Sequence, residues 1–106
     1  MVEDDKIQEM QIIEQNLQNL FLQKQAFQME LSETQTALKE IEKSGDEVFK
    51  IIGQLMVKTD KSKMGEELEN KNKILNLRLK TLEKQESTFS EKAQKLREEL
   101  MNEKKK

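Results

Sequence analysis

Two ladders of apolar residues with alternating three- and four-residue spacing bracket a stretch where that spacing breaks down, which restricts the fold more than any other feature. The first ladder runs Met10, Ile13, Leu17, Leu20, Lys24, Phe27, Leu31, Thr34, Leu38, Ile41, and eight of its ten positions are apolar. The second runs Leu68, Asn72, Leu75, Leu79, Leu82, Glu86, Phe89, Ala93, Leu96, Leu100, again with eight of ten apolar. A repeat averaging about 3.5 residues keeps to one seam only when helices supercoil left-handedly around each other. Composition supports long helices over the alternatives. With 34% hydrophobic and 38% charged residues and no Trp, Tyr or Pro, the chain lacks the material of an ordinary globular core. Disorder favours Pro, Gly and Ser, whereas this chain is rich in Glu, Lys, Gln and Leu, all good helix formers.

Between the ladders, Val48-Phe49-Lys50-Ile51-Ile52 and Leu55-Met56-Val57-Lys58-Thr59 flank Gly53-Gln54. A Gly-X pair between two such runs suits a two-residue type II′ hairpin in which Gly53 takes a positive φ. Ser44-Gly45-Asp46 reads as the end of the first helix, with Gly45 near its C-cap. Asp60 or Ser62 is a suitable cap for the second helix, which places Glu66 and Glu67 in its first turn. Pairing Met10 with Leu100, or Ile41 with Leu68, puts the fold point near residue 55 in both cases. The fold class is therefore mainly α: an antiparallel two-helix coiled coil with one central β-hairpin. The boundaries are a single domain over 1–106, with helix 1 over about 3–43, the hairpin over about 47–59 and helix 2 over about 62–104.

The same antiparallel register sets Lys24 opposite Glu86 and brings Thr34 and Asn72 within one turn of each other. Such polar seam residues either specify register or snorkel from a narrow interface. Register also brings Glu3-Asp4-Asp5 near Lys104-Lys105-Lys106, an exposed attraction worth under about 1 kcal/mol.

The hairpin has no private partner. With Ile52 opposing Leu55, Ile51 opposing Met56 and Lys50 opposing Val57, one face carries Val48, Ile52, Leu55 and Val57, and the other carries Phe49, Ile51 and Met56. An isolated two-stranded hairpin is marginal in water and has two unpaired edges. It is read as an assembly element: Val48, Phe49, Ile51, Ile52, Gly53, Leu55, Met56 and Val57.

Several function classes are excluded. There is no His and no Cys, so thiolate nucleophiles, imidazole acid–base groups and the metal sites built on either are missing. Two helices enclose no pocket for tuning a carboxylate, and Gly45, Gly53 and Gly65 are isolated rather than gathered in a phosphate loop. The expectation is no enzyme, no cofactor and no metal. The formal net charge of −2, with no segregated basic face, argues against nucleic acid and membrane as partners. The acidic N-terminus and the lack of a spanning apolar run make a cytoplasmic location the default.

Two helical arms around Glu47-Val48-Phe49-Lys50-Ile51-Ile52-Gly53-Gln54-Leu55-Met56-Val57-Lys58-Thr59-Asp60 resemble the beta class of prefoldins, of archaeal type. The likeness extends to Leu22-Gln23-Lys24-Gln25 and to Leu79-Lys80-Thr81-Leu82-Glu83-Lys84-Gln85-Glu86. A single hairpin is similar to the beta class, since the alpha class inserts two. The resemblance implies a hetero-hexamer of two alpha-type and four beta-type subunits whose hairpins join an oligomeric β-barrel platform. It further implies an ATP-independent holdase that binds non-native polypeptides at the coiled-coil tips and passes them to a group II chaperonin. The rival description is a structural coiled-coil scaffold or spacer, such as a parallel dimer. A continuous rod should keep its heptads through residues 42–67, where this chain changes to a strand pattern.

A holdase needs adaptable apolar surface, for which unbranched, polarizable Met is well suited. The expected client-binding residues at the tips are Val2, Ile7, Met10, Ile12, Ile13, Leu96, Leu100 and Met101. Met10, Ile13, Leu96 and Leu100 are also seam residues, whereas Ile7, Ile12 and Met101 lie off the seam. Ile74 and Leu77, also off it, are read as packing beneath the platform.

Overall fold

The computed structural model describes residues 2–104, and side chains over residues 4–103. Helix α1 spans Val2–Lys43, strand β1 Glu47–Ile52, strand β2 Leu55–Asp60 and helix α2 Lys61–Lys104. The contacts divide the chain into two compact units, residues 1–26 with 79–106 and residues 27–78. The expected attraction between Glu3-Asp4-Asp5 and Lys104-Lys105-Lys106 falls largely outside the described residues.

In the first unit the seam buries Met10, Ile13 and Leu20 of α1 and Leu79, Leu82, Ala93 and Leu96 of α2. Met10, Ile13, Ala93 and Leu96 form one cluster, and half-buried Leu17 and Phe89 pack against it. Burying an aliphatic side chain of this size contributes roughly 1.5–3 kcal/mol, so the repeat itself supplies the force that pairs the helices. Lys24 does meet Glu86, Nζ to Oε1 at 3.2 Å. Both groups keep contact with water, so the pair contributes less than about 1 kcal/mol; its use is in marking the register. Towards the chain ends Lys6 of α1 meets Glu103, and Glu99 at 3.5 Å, of α2. The hydrogen bond from Lys6 to Glu103 raises the lysine's pKa above its usual value. A raised base contributes its stability at all pH values below the ordinary lysine range and loses it only as pH climbs through the higher folded value.

In the second unit Leu68, Leu75 and Thr34 are buried, with Phe27, Leu31, Leu38 and Ile41 half-buried beside them on the seam. Thr34 and Asn72 do not form a pair across the helices. The Thr34 hydroxyl donates to the Glu30 carbonyl of its own helix at 2.8 Å, a local option open to any helical threonine. Asn72 Oδ1 is left buried without a partner. Glu30 and Lys71 bridge the two helices at 3.2 Å, and the Arg78 guanidinium lies 5.7 Å from the Phe27 ring centroid.

Both helix ends differ in detail from the sequence reading. Helix α1 does not close on a left-handed glycine, since Gly53 is the only described residue at positive φ. Ser44 does the capping instead: its N–H reaches the Ile41 carbonyl at 3.1 Å and its hydroxyl the same oxygen at 2.8 Å. Lys61 adds its ammonium to the carbonyls of Glu42 and Ser44 at 3.2 and 3.3 Å, a cation at the negative end of the helix dipole. Helix α2 is capped by Asp60, whose Oδ1 accepts from the Lys63 N–H at 2.7 Å, while Ser62 already lies inside the helix. Starting the helix at Lys61 leaves no acidic residue in its first turn, so Glu66 and Glu67 sit further along. Glu67 instead takes the Lys50 ammonium at 2.7 Å.

The two strands pair antiparallel with Ile52 opposite Leu55, Ile51 opposite Met56 and Lys50 opposite Val57. Gly53 stands at φ +61° and no described non-glycine residue shares that sign. A turn with only its first central residue positive is type II′, whereas type I′ needs both. Two glycine substitutions should therefore act in opposite directions. Open space surrounds Gly53, so Gly53→Ala costs only the backbone strain, about 1–2 kcal/mol. Gly65, also in open space but at an ordinary helical φ inside α2, should gain about 0.5–1 kcal/mol on Gly65→Ala. Thermal melts of the two variants check the opposite signs; equal signs would contradict this account of the turn.

Candidate assembly and binding surfaces

The hairpin exposes nearly everything that the strand pattern supplies. Ile51 is 71% exposed, Leu55 70% and Met56 68%, with Phe49, Ile52 and Val57 also open to solvent. Only Val48, Lys50 and Thr59 are partly covered, and these lie next to the helices on one face. The hairpin has not folded back as a cap on its own chain. Among the described residues the outer edges of its backbone are equally unpartnered. The pair Ile52–Leu55 closes a two-residue turn and so exchanges hydrogen bonds, and the alternation of an antiparallel ladder then turns the N–H and C=O groups of Phe49, Ile51, Met56 and Lys58 outward. Phe49, Ile51 and Met56 thus combine free strand edges with one apolar face.

A second apolar surface lies where the chain begins and ends, in the first unit. Ile7, Ile12 and Met101 are exposed there. Met10, Ile13 and Leu96 are buried in the seam, and Leu100 is half-buried. Of the expected client-binding residues, the structure therefore places three on the outside and keeps three in the core. The Val2 side chain lies outside the described residues. Ile74 and Leu77 are exposed on α2 in the second unit. Among the described residues no group of three or more His, Cys, Asp or Glu is arranged to hold a metal, and no helix is long and apolar enough to cross a membrane.

Residues 4–106 match the sequence profile of a family described as "Prefoldin subunit". The chain is 45% identical over 89 residues to the prefoldin subunit beta of Thermococcus onnurineus, covering 82% of this chain and 77% of that one. It is 34% identical over 98 residues to the prefoldin subunit beta of Methanothrix thermoacetophila, covering 91% and 82%. The crystal structure of the prefoldin beta subunit from Thermococcus strain KS-1 superposes with a TM-score of 0.86 at 37% identity, over 94% of this chain and 90% of that one. The chain belongs to the beta class of prefoldin subunits. Prefoldin subunits are chaperones rather than enzymes, and they act as members of oligomeric assemblies.

In this beta-class prefoldin subunit the hairpin stays exposed on its own chain. Sequence reasoning missed Lys50 and Lys61 as residues that tie this hairpin to the helices. Lys50 is the one charged side chain on its strand face, which was the available signal. The reach of Lys61 back to the end of α1 left no trace in any motif.

Proposed function

We propose that the chain is one of four beta-type subunits which, with two alpha-type subunits, form an ATP-independent holdase in the cytoplasm. In this reading the hairpin residues Val48, Phe49, Ile51, Ile52, Gly53, Leu55, Met56 and Val57 join a β-barrel platform shared with the partner chains. Ile74 and Leu77 pack beneath it. Non-native polypeptides are held at the ends of the coiled coils and handed to a group II chaperonin. The exposed apolar hairpin with both edges free carries the assembly half of the proposal, because such an element is an aggregation hazard unless partners cover it.

The holding half is supported by Ile7, Ile12 and Met101, which add apolar surface outside the seam. Met10, Ile13, Leu96 and Leu100 contribute from the seam itself when the last turns fray and open toward a client. Val2 extends the same end of α1. One such end offers little area, so useful affinity comes from several arms engaging a client together.

The test is a client-aggregation assay without ATP, using this chain assembled with an alpha-type subunit. The variant Ile7→Ser, Ile12→Ser, Met101→Ser runs beside it, with complex size read by light scattering. The intact complex is expected to suppress aggregation and the variant to fail at unchanged size. An intact complex that holds no client sinks the holdase reading and leaves a structural coiled coil.

A further inference from the structure

Helix α1 carries a second ladder that the seam does not use. Gln8, Gln11, Gln15, Gln18, Leu22 and Gln25 follow one another at three- and four-residue spacing on the side away from the partner helix, and all six are exposed. A three-four spacing keeps them on one stripe of the helix surface. Exposed Ile12 and Phe21 flank the stripe on either side. Charge is nearly absent: between Met10 and Ala26 only Glu14 and Lys24 are charged, and Lys24 is engaged with Glu86 across the seam. At the corresponding outward positions of α2 in the same unit, Lys80, Lys84, Glu91 and Glu98 are charged and only Ser87 and Gln94 are neutral, all six exposed. The two helices thus show chemically different faces to solvent.

We propose that this amide stripe is a client track: it binds extended stretches of non-native polypeptide alongside the apolar contacts of the proposed holdase, on which reading the inference rests. An extended chain offers unpaired backbone N–H and C=O groups as well as apolar side chains. Glutamine both donates and accepts, so it can meet either backbone group in any register. Being neutral, it is displaced from water far more readily than a carboxylate or an ammonium. Ile12 and Leu22 are ten residues apart on the helix, roughly 15 Å at 1.5 Å per residue, a span that about five residues of extended chain match. Individual amide contacts in water are weak, which suits a chaperone that must release what it holds. A second copy of this helix is the poorer occupant, since a seam of five glutamines and one leucine would bury amides without apolar compensation. A membrane is poorer still, because the stripe has neither a basic face nor an apolar one.

The test uses the assembled complex and a chemically denatured client. A photo-crosslinking residue is placed at Gln18, on the stripe, and separately at Glu91, on the charged face of α2. Two charged variants accompany it, Gln15→Glu, Gln18→Glu, Leu22→Glu and the same positions changed to Lys. Client crosslinks are expected from position 18 and not from 91. Both charge variants are expected to need about three- to tenfold more complex for half-protection, at unchanged size and helicity. Holding by both variants at the wild-type level, with no crosslink at 18, overturns the track while leaving the holdase reading intact. Loss in one charge variant only overturns it too, by pointing to a sign-specific charge effect. A wild-type complex that holds nothing overturns both readings.

Discussion

Ile51→Asp with Met56→Asp is expected to abolish assembly while leaving the chain helical. The two residues face each other across the hairpin and are largely exposed within the chain, so charging them removes no packing from the helical seam. In an assembly that covers this face, each carboxylate would lose its water without gaining a partner, a penalty of several kcal/mol per ion. Since every 1.4 kcal/mol is about tenfold in an association constant, the expected loss of subunit affinity is about a thousandfold or more. Light scattering on the chain co-expressed with an alpha-type subunit reads this directly, with far-UV circular dichroism reporting helicity. A complex of unchanged size would remove the hairpin from the assembly interface. The matching control is Lys58→Gln, since Lys58 on the same face is ion-paired to Glu47 in the open, where such a pair is worth under about 1 kcal/mol.

The neighbours Ile12 and Ile13 are expected to behave oppositely on truncation. Ile13 is 4% exposed and packs with Met10, Ala93 and Leu96. Ile13→Ala removes buried carbon and leaves a gap that the seam cannot close, because Ala93 opposite is already small. The expected loss is about 2–4 kcal/mol, seen as a melting midpoint lower by about 10 °C or more. Ile12 is 59% exposed, and Ile12→Ala should shift stability by less than about 0.5 kcal/mol while weakening client protection. Thermal melts beside the aggregation assay separate the two effects. Should Ile12→Ala destabilise as much as Ile13→Ala, the partition of this end into seam and surface is wrong.

Every residue of both heptad ladders is buried or half-buried, and the expected contact between Lys24 and Glu86 is present. A repeat that runs for tens of residues averages out local exceptions, and a wrong register would expose a whole row of apolar side chains. The turn was equally readable, because a positive φ at a strand reversal narrows the choice to glycine or very few others. Family membership was legible from the same central stretch, Val48 to Asp60, since a strand pair set between two coiled-coil arms is far more distinctive than the arms themselves.

What the sequence by itself determined is therefore the periodic part: two helices, the seam that joins them, and the hairpin between them with Gly53 at its turn. Tertiary structure alone decided the contacts that occur once. It turned the Thr34 hydroxyl onto its own helix and left Asn72 Oδ1 unpartnered. It closed α1 with Ser44 and Lys61 where Gly45 had been expected to act. The physical reason is common to all of these. Hydrophobic pairing is non-directional and sums along a repeat, so its pattern is written in the order of residues. A cap or a hydrogen bond depends on one donor reaching one acceptor, and that geometry exists only when the chain has folded.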